Sequence, residues 1–119
     1  MSVTATNPRD ESRSTVPIEA LVDSASELTW LPGSLLREAG VEPRKRASFQ
    51  TAAGETVSRD VGYAILASEG YETADEVVYA EPGDPTLLGV RTLEGFAVVV
   101  DYVGHRFVAR AVLVAANLL

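Results

Sequence analysis

Apolar residues in this chain recur at every second position in short stretches, each cut off by a glycine, proline, asparagine or aspartate turn. That period commits most of the chain to β-strands. Val16, Ile18, Ala20 and Val22 share one face of an extended segment, with Thr15, Pro17, Glu19 and Leu21 on the other. Val3 to Thr6 predicts a partner strand that turns back through Asn7-Pro8-Arg9-Asp10, giving an N-terminal hairpin over about residues 2–22. Ala47–Thr51, Glu55–Arg59, Gly62–Ala67 and Thr73–Tyr79 read as further strands. The breaks between them are Ala53-Gly54, Glu69-Gly70 and Glu81-Pro82-Gly83-Asp84-Pro85. The unbroken Ala97-Val98-Val99-Val100 predicts a strand buried on both faces. After a turn over Asp101–Arg106, the chain returns from Phe107 to Val114, so residues 96–114 are read as C-terminal strands. Only two places carry helix signals: Leu35–Ala39, between the cap Ser34 and Gly40, and Thr92–Glu94. The spacing of turns is that of an antiparallel sheet or a small barrel.

One domain spanning residues 1–119 accounts for the whole length. Seventeen acidic against ten basic side chains argue against a nucleic-acid partner, because phosphate backbones are bound through clustered Lys and Arg. The one run of cations, Arg44-Lys45-Arg46, is too short to reverse that balance. Without cysteine there is no disulfide, thiolate zinc site or cysteine nucleophile. The single histidine, His105, falls in a hairpin turn, so no metal site and no cofactor is expected. Residues 1–17 contain no apolar run, and Ala111–Ala116 is far too short to span a bilayer. The expectation is a cytoplasmic protein without a membrane partner.

Of the six aspartates, Asp23 stands apart. It closes an extended segment, precedes Ser24, Ala25 and Ser26, and is followed by Leu28, Trp30 and Leu31. An acidic group between apolar stretches needs a partner or a use, since burying it unpaired is costly. A strand-end aspartate accepting hydrogen bonds from the next turn explains the position equally well.

Ala20-Leu21-Val22-Asp23-Ser24-Ala25-Ser26 resembles the hydrophobic-hydrophobic-Asp-Thr/Ser-Gly-Ala-Ser/Asp signature of retropepsin-like aspartic proteases, and Thr29-Trp30-Leu31-Pro32 is similar to the continuation in their bacterial single-domain members. Leu87-Leu88-Gly89 resembles the family's hydrophobic-hydrophobic-Gly element. Phe49 to Thr56 lies where the family places its flap. The similarity runs from about residue 3 to about residue 108.

The resemblance implies an all-β fold, a retropepsin-like closed β-barrel with one or two short helices, acting as a homodimer on peptide or protein substrates. Its catalytic-loop motif would be residues 23–26 and its flap-like hairpin about residues 47–59. Asp23 from each subunit would activate a water, and Ser24 would hydrogen-bond across the dimer axis. Thr51, Ala52, Ala53 and Gly54 would close over the peptide, while Leu88 and Gly89 would support the loop from beneath. Two facing carboxylates share a proton, one acting as base and the other as acid. The other aspartates lack the small-residue pattern, so the pair requires two chains. Glu27 and Arg91 lie near positions that some family members pair, one residue out of register, and read better as a solvated surface pair.

The departure from the family is Ala25, where the signature has glycine. Its methyl group is harmless at negative φ and pushes the two loops apart at positive φ or against a partner's loop. The alternative function is accordingly a catalytically silent binding or dimerisation module of the same fold.

Overall fold

The structure, a computed structural model, describes residues 1–113 and Ala115. The chain is mostly β. Its strands are β1 (Ser2–Thr6), β2 (Ile18–Glu19), β3 (Leu21–Val22), β4 (Thr29–Pro32), β5 (Pro43–Gln50), β6 (Thr56–Ser68), β7 (Tyr71–Ala80), β8 (Leu87–Leu88), β9 (Val98–Asp101) and β10 (Arg106–Ala109). Two short helices, α1 (Gly33–Glu38) and α2 (Val90–Phe96), complete it.

Eight strands form one sheet, ordered β2-β1-β6-β7-β4-β8-β3, with β5 paired to β6 off this path. Strands β9 and β10 form a separate two-stranded ribbon. The expected closed β-barrel is therefore corrected: neither sheet closes. The strand path ends at β2 and at β3, and no ladder pairs one with the other. The Ala20 amide donates to Met1, but the next amide, Leu21, donates to Thr86, so the segment exchanges β1 for β8 as its neighbour. Its two halves become the two ends of an open sheet.

The N-terminal segment turns back as β1 paired to β2, Val3 opposite Ile18, with Thr6 bridged to Ser14. Three further differences from the pattern have local causes. The two strands expected over 55–67 are one, β6, because Gly62 does not break it. A side chain at Gly62 would meet the Tyr79 hydroxyl and the Glu42 carbonyl, so the glycine makes room for a neighbour instead of a turn. Helix α2 reaches Phe96, which was expected to begin a strand. It stops where Ala97 takes the left-handed conformation at φ 57°. The apolar run that follows is not buried on both faces: Val98 is buried, Val99 is 55% exposed, and β9 pairs only with β10. The returning strand ends at Ala109; of the segment expected to extend it, Val114 lies outside the described residues, as do residues 116–119.

The core lies between the sheet and the helices. Val3, Leu31, Leu36, Leu66, Val77 and Leu88 are fully buried within it. The β9–β10 ribbon is fastened by Phe107, which meets Tyr71 of β7 and Phe96 of α2 with ring centroids about 6 Å apart.

Candidate functional site around Asp23

Strands β3 and β4 are joined by the loop of residues 23–28, and β8 lies between them, parallel to β3 and antiparallel to β4. This crossing ties the loop down from beneath. The Asp23 amide donates to the Leu88 carbonyl at 3.0 Å. Helix α2 has no side-chain cap; instead its first free amides, those of Val90 and Arg91, donate to the loop carbonyls of Ser26 and Glu27 at 2.8 and 3.0 Å. Helix start and loop therefore satisfy one another's backbone groups. The Ser26 hydroxyl closes the loop internally on the Leu28 carbonyl at 2.7 Å.

Gly89 is required here for space. Its φ of −89° suits any residue, but a Cβ at this point would run into the Leu28 carbonyl and approach that of Glu27 to 2.9 Å. Its amide donates to Thr29 Oγ1 at 2.9 Å; Thr29 in turn bonds Thr92, and Thr92 donates to Asp75. Leu88, fully buried, fills the core below.

Within the loop, Asp23 is half-buried, while Ser24 and Ala25 are exposed. Asp23 Oδ1 accepts the Ala25 amide at 2.9 Å, which is the strand-end turn bond that the sequence also allowed. Ala25 is not among the residues at positive φ, so its methyl group imposes no backbone strain on the loop.

The flap-like segment stands opposite. Strands β5 and β6 pair as far as Gln50 and Thr56, and the turn between them is held by Thr51 to Glu55 and Gly54 to Thr51 backbone bonds, with Gly54 at φ 84°. Trp30 meets Phe49 edge-on at 5.1 Å and joins this hairpin to β4. Between loop and hairpin lies a cleft of about 410 Å³, lined among others by Asp23, Ala25, Trp30, Phe49, Thr51 and Ala52. Of the residues named from the pattern, Asp23, Ala25, Thr51 and Ala52 thus meet at one cleft. Ser24, Ala53 and Gly54 are absent from its lining, and Leu88 and Gly89 lie in the support beneath the loop.

A second carboxylate in the cleft, Asp84, went unrecognised in the sequence. Arg59 grips it with Nε to Oδ2 at 2.7 Å and Nη2 to Oδ1 at 2.9 Å. That fork holds the Asp84 carboxyl below its ordinary range and keeps it ionised. No local signal joins two residues 25 apart in sequence. The Glu27 and Arg91 side chains do not pair; Arg91 reaches Glu76 at 3.1 Å and Asp75 at 3.9 Å across α2 and β7.

Among the described residues no cluster of three or more His, Cys, Asp or Glu is arranged to hold a metal ion, and no helix is long and apolar enough to cross a membrane. No model of a known protein family matches the chain, and no curated protein does.

Proposed function

We propose that the protein is an aspartic-type endopeptidase whose active unit is a homodimer with one Asp23 from each chain. One observation carries this reading. Asp23 sits on a loop fixed from beneath at several points and opens into a cleft roofed by a hairpin tip, while the cleft's other carboxylate is already neutralised by Arg59. An aspartate held ionised in an arginine fork cannot supply the protonated acid that peptide hydrolysis requires. The second carboxylate therefore comes from a second copy.

In the assembled pair one Asp23 is ionised and the other protonated, because two adjacent carboxylates resist double ionisation. The ionised group takes a proton from a water whose oxygen bonds to the scissile carbonyl carbon, and the protonated group gives its proton to the carbonyl oxygen. The tetrahedral adduct then collapses: the C–N bond breaks, the departing nitrogen takes the proton that the first Asp23 removed from water, and the second Asp23 takes back a proton from an adduct hydroxyl as the carbonyl reforms. The β5–β6 tip excludes water over the peptide.

The surface assigned to the second copy is apolar and adjoins the site. Leu21, two residues before Asp23, is 72% exposed and lines a groove together with Tyr102 of the β9–β10 turn. Val99, Val103 and Val108 of the same ribbon are also exposed. An aspartic endopeptidase cleaves a mixed peptide library, and Asp23→Asn abolishes cleavage. Cleavage that persists in Asp23→Asn, or a wild-type chain that cleaves nothing at acidic and neutral pH while sedimenting as a dimer, rejects the reading.

A further inference from the structure

The distribution of cations marks a second cleft. Of the ten Lys and Arg side chains, six make carboxylate ion pairs: Arg37, Lys45, Arg46, Arg59, Arg91 and Arg106. Among the described residues Arg9, Arg13, Arg44 and Arg110 make none. Three of those four, Arg9, Arg13 and Arg44, line one cleft of about 250 Å³ that shares no residue with the Asp23 cleft. On a chain with formal charge −7, arginines without a carboxylate partner are not expected to converge by averaging over the surface.

Arg13 and Arg44 are held by neutral groups, which orient them without a carboxylate ion pair. Arg13 Nη2 donates to the Glu38 carbonyl at 3.0 Å, and its guanidinium lies against Gly40 in the space a Cβ would need. Gly40 is also at φ 77°, so the position admits glycine on both counts. Asn7, 7% exposed, donates to the Ala39 and Gly40 carbonyls at 3.2 and 3.1 Å, and its Oδ1 accepts the Arg9 amide at 2.9 Å. The loop carrying Arg9 and Arg13 is thereby fastened to the end of α1. Arg44 stacks over the Tyr63 ring, 5.9 Å from its centroid. Glu42 is the one acidic residue of the lining. Asp10, nearby in the loop, is occupied by the Ser12 amide and hydroxyl.

We propose that this cleft binds a phosphate group, as the free anion or as a small phosphate ester. Three guanidinium groups against one carboxylate leave two positive charges, which match a phosphate dianion. Its tetrahedral oxygens can accept from three separate forks, whereas a carboxylate offers two coplanar oxygens. Glu42 can accept from the P–OH of the free dianion or from an alcohol hydroxyl of an ester, so the lining suits both forms.

Amide NMR titration of the full chain with inorganic phosphate, with glycerol phosphate and with chloride at matched ionic strength tests this. Saturable shifts at Asn7, Gly40, Val41 and Tyr63 are expected with both phosphates and absent with chloride. Tighter binding of glycerol phosphate identifies an ester, and equal binding identifies the free anion. Arg9→Gln and Arg44→Gln, both at exposed positions, should each weaken binding about tenfold and leave the rest of the spectrum in place. Identical shifts with chloride, the absence of saturation, or binding unchanged in both variants overturns the proposal.

Discussion

The Thr29 and Thr92 hydroxyls, 63 residues apart in sequence, bond one another at 2.7 Å with both side chains fully buried. The direction of the chain is determined at its ends. Thr92 donates onward to Asp75 Oδ2 at 3.0 Å, so its oxygen accepts from Thr29, whose own oxygen accepts the Gly89 amide. Thr92→Val keeps the shape and removes the middle link, leaving a buried hydroxyl and a carboxylate oxygen short of a partner. The expected cost is about 2–3 kcal/mol in urea unfolding, with Thr92→Ser recovering most of it. Equal stability of Val and Ser variants would remove the hydroxyl chain from the account.

Gly89→Ala is expected to destabilise by about 3 kcal/mol or more, because the added methyl meets backbone carbonyl atoms of Leu28, which cannot rotate away. Gly54→Ala provides the contrast. A Cβ at that tip meets nothing, so only the left-handed φ of 84° opposes it, at about 1 kcal/mol. Thermal or urea unfolding of the two variants separates a steric glycine from a conformational one.

What the sequence disclosed and what it withheld divide by the range of the interaction. Strands follow from period-two alternation, a property of neighbours, and their turns from Gly54, Gly70 and Gly83, each at positive φ. Asp23 stands out by its own flanking residues, but its connection to the Leu87-Leu88-Gly89 segment has no local signal, since no local rule states that residues so distant in sequence share a hydrogen bond. Gly62 misled because glycine usually breaks a strand, and here its meaning lies with Tyr79, 17 positions on. The exchange of β1 for β8 as neighbour depends on which strand receives the amides of Ala20 and Leu21, and side-chain alternation is blind to that. Asp84 shows nothing locally to distinguish it from other aspartates until Arg59 is brought against it.

Asp84 also predicts an acid response. Arg59 lowers its pKa below the ordinary 3.8, so the fold binds fewer protons than the unfolded chain as pH falls. The stabilisation is complete above the ordinary carboxylate range and is lost as pH falls through it toward the lowered value. Asp84→Asn should reduce stability at neutral pH and flatten this acid-side decline. Urea midpoints at neutral pH and near pH 3 measure both, and an unchanged decline in the variant contradicts the assignment.

Tyr79 predicts the opposite limb. Its hydroxyl is buried and donates to the Val41 carbonyl at 2.7 Å, and desolvation pushes its pKa up to about 12. Between its ordinary 10.0 and that value the unfolded chain has released a proton that the fold retains, so stability falls as pH rises through this interval. Tyr79→Phe should cost about 1 kcal/mol near neutrality through the lost hydrogen bond and should lessen the alkaline decline. Tyrosine absorbance titration checks it directly: the component near pH 12 disappears in the variant.

Ala25→Gly separates the backbone of the Asp23 loop from its chemistry. Were the alanine methyl what silences the site, glycine would restore cleavage. The loop argues for the reverse outcome, because Ala25 has no positive φ to relieve, is exposed, and already gives its amide to Asp23 Oδ1. Glycine adds freedom to the unfolded loop and supplies no new bond, which should lower stability by about 0.5–1 kcal/mol. The expected result is peptide cleavage within a few-fold of wild type, with Asp23→Asn inactive in either background. A large gain of activity on Ala25→Gly, with the dimer fraction rising alongside it, would instead show that the methyl obstructs the approach of the second loop.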